Sequence, residues 1–340
     1  MEAAELLKRI TKAKRSQATL VQFLRTAEPV LGEKVRHCGG WLHFREWYQF
    51  GENGTSKLLN ANFCKKHLLC QCCAVRRAGK MVENYESKLS SIIEKRTDLI
   101  PAMVTFTLKN GEDLEERFQH FNDSWTRFGA AVRKAKSNPE KNLPMEWNLV
   151  EGGVSAKEIT YGNGGWHVHM HVFVLLPLYI NKRKLSEEWQ RFTGDSMITD
   201  VRKCRGGIMK ALVEVLKYST KFSSMTNEQI LHVQHICGGA RLVNPFGILR
   251  GIQAGDIDED DISNIPKSEP YRDFYARWFE SRSHFRIKYE SEKPLEIQRP
   301  VRPVSSLLIP SVKLSPLNLK PVPKHIAESN VKFSNKKPIE

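Results

Sequence analysis

The sequence predicts an α+β chain organised around an antiparallel sheet, and three observations predict it. Gly162-Asn163-Gly164-Gly165 joins two alternating runs, Lys157–Tyr161 and Trp166–Leu176, which is a strong hairpin signal. The run AMVTFTL after Pro101 is rich in β-formers and short enough for a buried strand. Segments of helical period at 182–193 and 207–222 follow the hairpin, so the order strand, helix, hairpin, helix replaces the regular βαβ alternation of a parallel sheet.

Taken in order, residues 1–28 read as one amphipathic basic helix that stops before Pro29, within a basic N-terminal segment 1–34. Residues 35–78 form a cysteine-rich element, with a short strand at Gly40–Phe44 and then Cys64, Cys70, Cys72 and Cys73. A helix is expected over 76–97, since Met81, Tyr85, Leu89 and Ile92 recur at helical spacing. Another is expected over 112–136, where Leu114, Phe118, Phe121, Trp125 and Phe128 share one side and read as core packing. These elements and the hairpin make a central domain, 79–225. Residues 226–296 carry no recognisable motif; within them Asp256–Asp261 (DIDEDD) reads as a solvated acidic loop.

Charge narrows the function. The chain has 340 residues, 53 Lys+Arg and 38 Asp+Glu, a net +15. At 40% hydrophobic and 27% charged it is neither a disordered polyelectrolyte nor a membrane bundle. Its positive excess calls for a polyanionic partner, nucleic acid first. The tail 297–340 has eight Lys/Arg, two Asp/Glu and seven of the sixteen prolines, and reads as an unstructured basic tail that leaves +9 on residues 1–296. No apolar run reaches the roughly 18–20 residues of a membrane span, and the N-terminus lacks the apolar region of a signal peptide. A cytoplasmic location without a membrane partner is therefore expected, and clustered cysteines in a reducing compartment suggest metal.

His167, His169 and His171 alternate with Val168, Met170 and Val172. On a strand the three imidazoles share one face while the apolar residues enter the core. Neutral ring nitrogens this close suit a divalent cation, and Glu158, across the Gly-rich turn, offers a carboxylate from a paired strand. In ALVEVLKYSTK, Glu214, Tyr218 and Lys221 stand at i, i+4 and i+7 on one helix face. Cys64, Cys70 and Cys73, with Cys38 twenty-six residues before Cys64, supply four thiols for a structural Zn²⁺; Cys72 and His67 are rival ligands, and reduced buried cysteines are the alternative. Cys204 and Cys237 stand alone and read as packed. Arg76 and Arg77 offer phosphate contacts, as do the basic stretches Lys8–Arg25 and Lys182–Arg205, although a solvated helix face is the usual reading of such runs. Trp41, Trp47 and Trp166 are either stacking groups for a melted strand or core residues.

Four stretches resemble, in order, those of the HUH endonucleases, and more closely the single-tyrosine replication initiators of small rolling-circle plasmids. They are Cys38-Gly39 with FCKKHLLCQCCAVRR, then VTFTLKN, EITYGNGGWHVHMHV and ALVEVLKYSTK, spanning residues 35–225. The gap between Cys64 and Cys70 is longer than the family's usual spacing. The resemblance implies an HUH-like antiparallel sheet with flanking helices plus a zinc-binding element. It implies metal-dependent nicking of one origin strand, leaving a 5′-phosphotyrosine and a 3′-hydroxyl primer, then hydrolysis and rejoining at termination. Tyr218 stands where the nucleophile stands, and Glu214 where an acidic residue activates water. His169 and His171 form the metal pair, with His167 as a third metal histidine and Glu158 as a carboxylate ligand; Lys221 would neutralise the phenolate or a phosphate. The cofactors implied are Mg²⁺ or Mn²⁺ at the histidines and Zn²⁺ at the cysteines. The partners implied are plasmid origin DNA and the host helicase, polymerase and single-strand-binding protein, and a homo-oligomer is compatible with the reading. A related transposase or relaxase, or a non-enzymatic zinc-containing DNA-binding regulator, are the rival readings.

Overall fold

The structure, a computed structural model, describes residues 2–48, 54–204, 208–217, 225–251 and 257–290, all within one compact unit, Met1–Glu292. The basic tail lies outside the described residues. Among those described, no helix is long and apolar enough to cross a membrane.

The N-terminal segment is three helices where one was expected: α1 (Ala3–Ser16), α2 (Ala18–Ala27) and α3 (Pro29–His37). The first break falls at Gln17, whose buried side chain accepts from the Gln71 amide at 2.9 Å and donates to Cys72 Sγ at 3.7 Å. It thereby satisfies one of the orphan amides at the start of another helix. The second break is no stop, because Pro29 is the first residue of α3, where its missing N–H and fixed φ cost nothing.

Strands β1 (Trp41–Trp47) and β2 (Thr55–Ala61) form an antiparallel pair, and helix α4 (Gln71–Lys95) then runs on from the cysteine element. Next come β3 (Ile100–Thr107) and α5 (Leu114–Ser137), the latter capped by Asp113, whose carboxylate accepts from the Glu115 and Glu116 amides. The hairpin β4 (Gly152–Gly162) and β5 (Gly165–Leu176) turns at Asn163-Gly164; the left-handed backbone falls on Gly165 (φ +88°), where a Cβ would lie 2.4 Å from the Gly111 carbonyl oxygen. Helix α6 (Lys182–Thr193), strand β6 (Thr199–Lys203), helix α7 (Ile208–Lys217), helix α8 (Asn227–Cys237) and strand β7 (Val243–Gly247) follow, and β8 (Tyr271–Phe279) and β9 (His284–Tyr289) close the described chain.

Two antiparallel sheets result, β6-β3-β5-β4-β7 and β2-β1-β8-β9. Residues 226–290, which carry no motif in the sequence, thus supply strands to both. β7 adds to β4 as an edge strand, a position that tolerates its Pro245. β8 pairs along the whole of β1, joining residues more than two hundred positions apart.

The acidic stretch is not the solvated loop expected. Asp260 is buried; its Oδ1 accepts from Arg76 at 2.7 Å and from Lys80 at 3.2 Å, and its Oδ2 from the Leu58 amide at 2.9 Å. The Arg76 guanidinium, fully buried, also donates to the carbonyls of Ile257 and Glu259. Burial opposes ionisation of Asp260, but Arg76, the Leu58 amide and Lys80 outweigh it and hold its carboxyl below the ordinary range. Because the folded-state pKa is depressed, this contribution to stability is present above the unfolded carboxylate pKa and is lost as pH falls through the folded value. Asp260→Ala leaves a buried guanidinium uncompensated and should cost about 3–5 kcal/mol, read from urea unfolding at neutral pH. A loss under about 1 kcal/mol would mean that the carbonyl contacts of Arg76 suffice without the carboxylate.

Candidate functional site

The five-stranded sheet is covered differently on its two faces. Val168, Met170, Val172 and Val174 of β5 point into the main core with Val104 and Phe106 of β3, under α5 and α6. Phe118, Phe121 and Phe128 of α5 are buried there and Trp125 packs against them, so the aromatics expected as core are core. The opposite face begins as His167, His169 and His171 and continues as Phe173 and Leu175. Only Phe173 and Leu175 are roofed, by Met81, Tyr85 and Leu89 of α4 and Leu212, Val215 and Leu216 of α7. Where the helices stop, the strand changes from apolar to imidazole, and that half opens on a cavity of about 900 Å³.

Register brings the ligand atoms together. Glu158 of β4 lies directly opposite His169, and Thr105 of β3 opposite His171. His169 Nε2 is 2.6 Å and His171 Nε2 3.0 Å from the same oxygen, Glu158 Oε2. Thr105 Oγ1 is 3.1 Å from His171 Nδ1, the outer hydrogen bond that turns Nε2 of an imidazole inward. The ligand atoms of Glu158, His169 and His171 lie within 4.8 Å of one another, and Glu158 is 1% exposed. Two neutral imidazoles and one buried carboxylate converging on one point fit a divalent cation in kind and in number of donors. His167 stands apart from this set: its ring lies 4.6 Å from that of His169, and its buried Nε2 has no hydrogen-bond partner among the described residues. Burial, then the neighbouring His169, favours its neutral form over the opposing pull of Glu158.

Glu214, on the exposed side of α7, lines the same cavity as the three histidines. Tyr218 and Lys221 lie outside the described residues. The cavity also takes Met103, Thr105 and Thr107 from β3, and Tyr179, Asp200, Arg202 and Lys203 around β6. Arg202 and Lys203 belong to the basic stretch Lys182–Arg205 named from the sequence; the others the sequence reading missed. Thr105 could have been found from the alternation of AMVTFTL once that strand is paired with β5, whereas the β6 residues carry no periodic signal.

Cys38 ends α3, Cys70 caps the start of α4, and Cys73 sits in its first turn. With Cys64 they place four Sγ atoms within 4.8 Å of one another, Cys38–Cys73 at 3.4 Å and Cys64–Cys73 at 3.6 Å. A Zn–S bond of about 2.3 Å sets the sulfurs of a tetrahedron about 3.8 Å apart, so the set fits Zn²⁺. Cys72 faces Gln17 instead, and His67 is not in the group of four. Cys237 is packed in the main core, where burial pushes its thiol up to about 12. Arg76, read as a phosphate contact, is spent on Asp260 inside the protein, and Arg77 is half-buried, so the pair does not form an outward phosphate clamp. Trp47 and Trp166 are 4% and 5% exposed and are core residues; Trp41, at 36%, is open to solvent.

A family described as "Replication protein" matches residues 55–275, a span holding the whole five-stranded sheet, the histidines and the clustered cysteines other than Cys38. "Protein rep" of Bacillus amyloliquefaciens is 26% identical over 282 aligned positions, covering 70% of this chain and 77% of that protein. No solved structure matches the chain.

Proposed function

The chain belongs to the Replication protein family, which makes it a plasmid replication initiator, and on that premise we propose that it starts rolling-circle replication by nicking one strand of the plasmid origin. The observation that carries this reading is the meeting of His169 and His171 on one oxygen of Glu158, in a cavity that Glu214 also lines.

Glu158, His169 and His171 would hold Mg²⁺ or Mn²⁺, which supplies Lewis-acid polarisation of the scissile phosphate. The chain's own work is positioning and covalent capture. The Tyr218 phenolate oxygen bonds to phosphorus and the P–O3′ bond breaks, so a 5′-phosphotyrosine forms and the 3′-oxygen takes up a proton. Capture preserves the phosphoester, so the ends can be rejoined without ATP, and the free 3′-hydroxyl primes a host polymerase aided by helicase and single-strand-binding protein. Glu214, four residues before Tyr218, is suited to take a proton from water at the terminating cleavage, where a second tyrosine would leave a second protein–DNA link. Lys221 would balance charge on the phenolate or a phosphate. Thr105 keeps the His171 ring turned toward Glu158, and Arg202 and Lys203 at the cavity wall offer phosphate contacts.

Incubating the protein with supercoiled plasmid carrying its origin and Mn²⁺ should yield nicked circles with protein on the 5′ end. Peptide mapping should place the nucleotide on Tyr218. Nicking without an adduct, or an adduct on another residue, would sink the assignment.

A further inference from the structure

The four-stranded sheet has a face that the nicking chemistry does not use. Its inner side, Leu42, Phe44, Leu58, Phe274 and Ala276, belongs to the N-terminal core. On the outer side the register aligns Arg286, Arg277 and Trp41 in one row across β9, β8 and β1, and Lys288, Tyr275 and His43 in the next. The rings form a continuous patch. Tyr275 stacks on His43 with centroids 4.5 Å apart and on Trp41 at 6.0 Å, and Arg286 lies 3.7 Å over Phe279 in the adjoining row. Trp41, Arg277, Arg286 and Lys288 are exposed. Two carboxylates adjoin the patch: Asp273, held by Arg45 at 2.7 Å and His43 at 3.1 Å, and Glu290, which accepts from the Tyr275 hydroxyl at 2.7 Å. Against Arg45, Arg277, Arg286 and Lys288 they leave its net charge positive. A cleft of about 620 Å³ opens beside Trp41, with Lys14, Arg36 and Arg277 in its lining.

We propose that this face binds single-stranded DNA of the melted origin, with bases stacked on Trp41 and Tyr275 and phosphates held by Arg277, Arg286 and Lys288. Flat rings interleaved with cations match a strand whose bases are uncovered, because every base has a π-face and every linkage a negative charge. A duplex hides its base faces in the stack, so it can use the cations but not the rings. Such a platform holds the displaced strand close to the protein that cut it and does so without reading its sequence.

The test is fluorescence anisotropy with the full chain, no divalent cation, and a thymidine oligonucleotide of about 16 nucleotides, the upper site size of a small stacking platform. One aromatic platform is worth about five- to 150-fold in affinity. Trp41→Ala with Tyr275→Ala should therefore weaken oligonucleotide binding about 25-fold or more, and Trp41→Phe with Tyr275→Phe should stay within about threefold of the parent, because phenyl rings still stack. Duplex affinity should change less than about threefold in the alanine pair and fall steeply, with the salt slope, in Arg277→Glu with Lys288→Glu. These last two side chains are solvated, so that variant tests the face even if the alanine pair folds poorly. Unchanged oligonucleotide affinity in both the alanine and the charge variants, or equal losses for single strand and duplex in the alanine pair, overturns the proposal. His169→Ala should leave oligonucleotide binding intact, which separates this face from the nicking site.

Discussion

His169→Ala should lower origin nicking by about a thousandfold or more and abolish Mn²⁺ binding, with plasmid relaxation and calorimetric titration of the metal as the measurements. A cation polarising a phosphoryl oxygen contributes several kcal/mol to the transition state, and about 1.4 kcal/mol is tenfold in rate. Removing one of three donors weakens the cation and leaves Glu158, 1% exposed, without its nearest partner at 2.6 Å. His167→Ala is the informative contrast. Its ring neighbours His169 but lies outside the three ligand atoms that converge, so its loss should cost at most about a hundredfold, the range of groups that support a metal ligand. Equal losses for both variants would mean that His167 is a ligand as well. Neither substitution should move the unfolding midpoint much, because both rings line the cavity and Glu158 keeps His171 at 3.0 Å.

The difference between these two histidines shows how far the sequence could be read. Period-2 alternation put all three imidazoles on one face, and Asn163-Gly164 fixed the hairpin, so Glu158 opposite His169 followed from counting across the turn. Which nitrogens converge depends on Thr105, brought from β3 by a pairing that no local pattern announces. The same limit explains Arg76. Beside the cysteines it looked like a phosphate contact, and the aspartates of DIDEDD looked solvated; each was half of one buried ion pair whose members are 184 residues apart. The β1–β8 pairing was equally invisible, since β8 is a short aromatic run whose partner lies at the other end of the chain. Trp41 was legible only as an alternative between stacking and core. Its exposure, and that of the cations opposite it, decides for the surface.

Cys70→Ser should lower the melting temperature by about 10 °C or more and remove zinc, as metal analysis and thermal unfolding of protein purified without chelator would read. The parent should carry one zinc per chain. Cys38 ends α3, Cys64 follows β2, and Cys70 and Cys73 begin α4, so the four thiols tie these elements together beside a small apolar cluster shared with α1, α2 and β1. Without a cation the cluster cannot hold four thiolates: hydrogen bonds to the neighbouring cysteines, then burial, hold the Cys38 thiol far above its ordinary range. Cys72→Ser, whose thiol meets Gln17, should keep the zinc and lose only the packing of a small side chain. Zinc loss on Cys72→Ser, or none in the parent, would remove the cation from the cluster. The effect should also reach the nicking site. α4 starts at the cysteines and ends against α7, burying Met81, Tyr85 and Leu89 on Leu212, Val215 and Leu216, and α7 carries Glu214. Cys70→Ser, assayed with Mn²⁺ in excess, should therefore depress nicking together with stability, whereas His169→Ala should depress nicking alone. That pair of signatures distinguishes a cation that builds the scaffold from one that does chemistry.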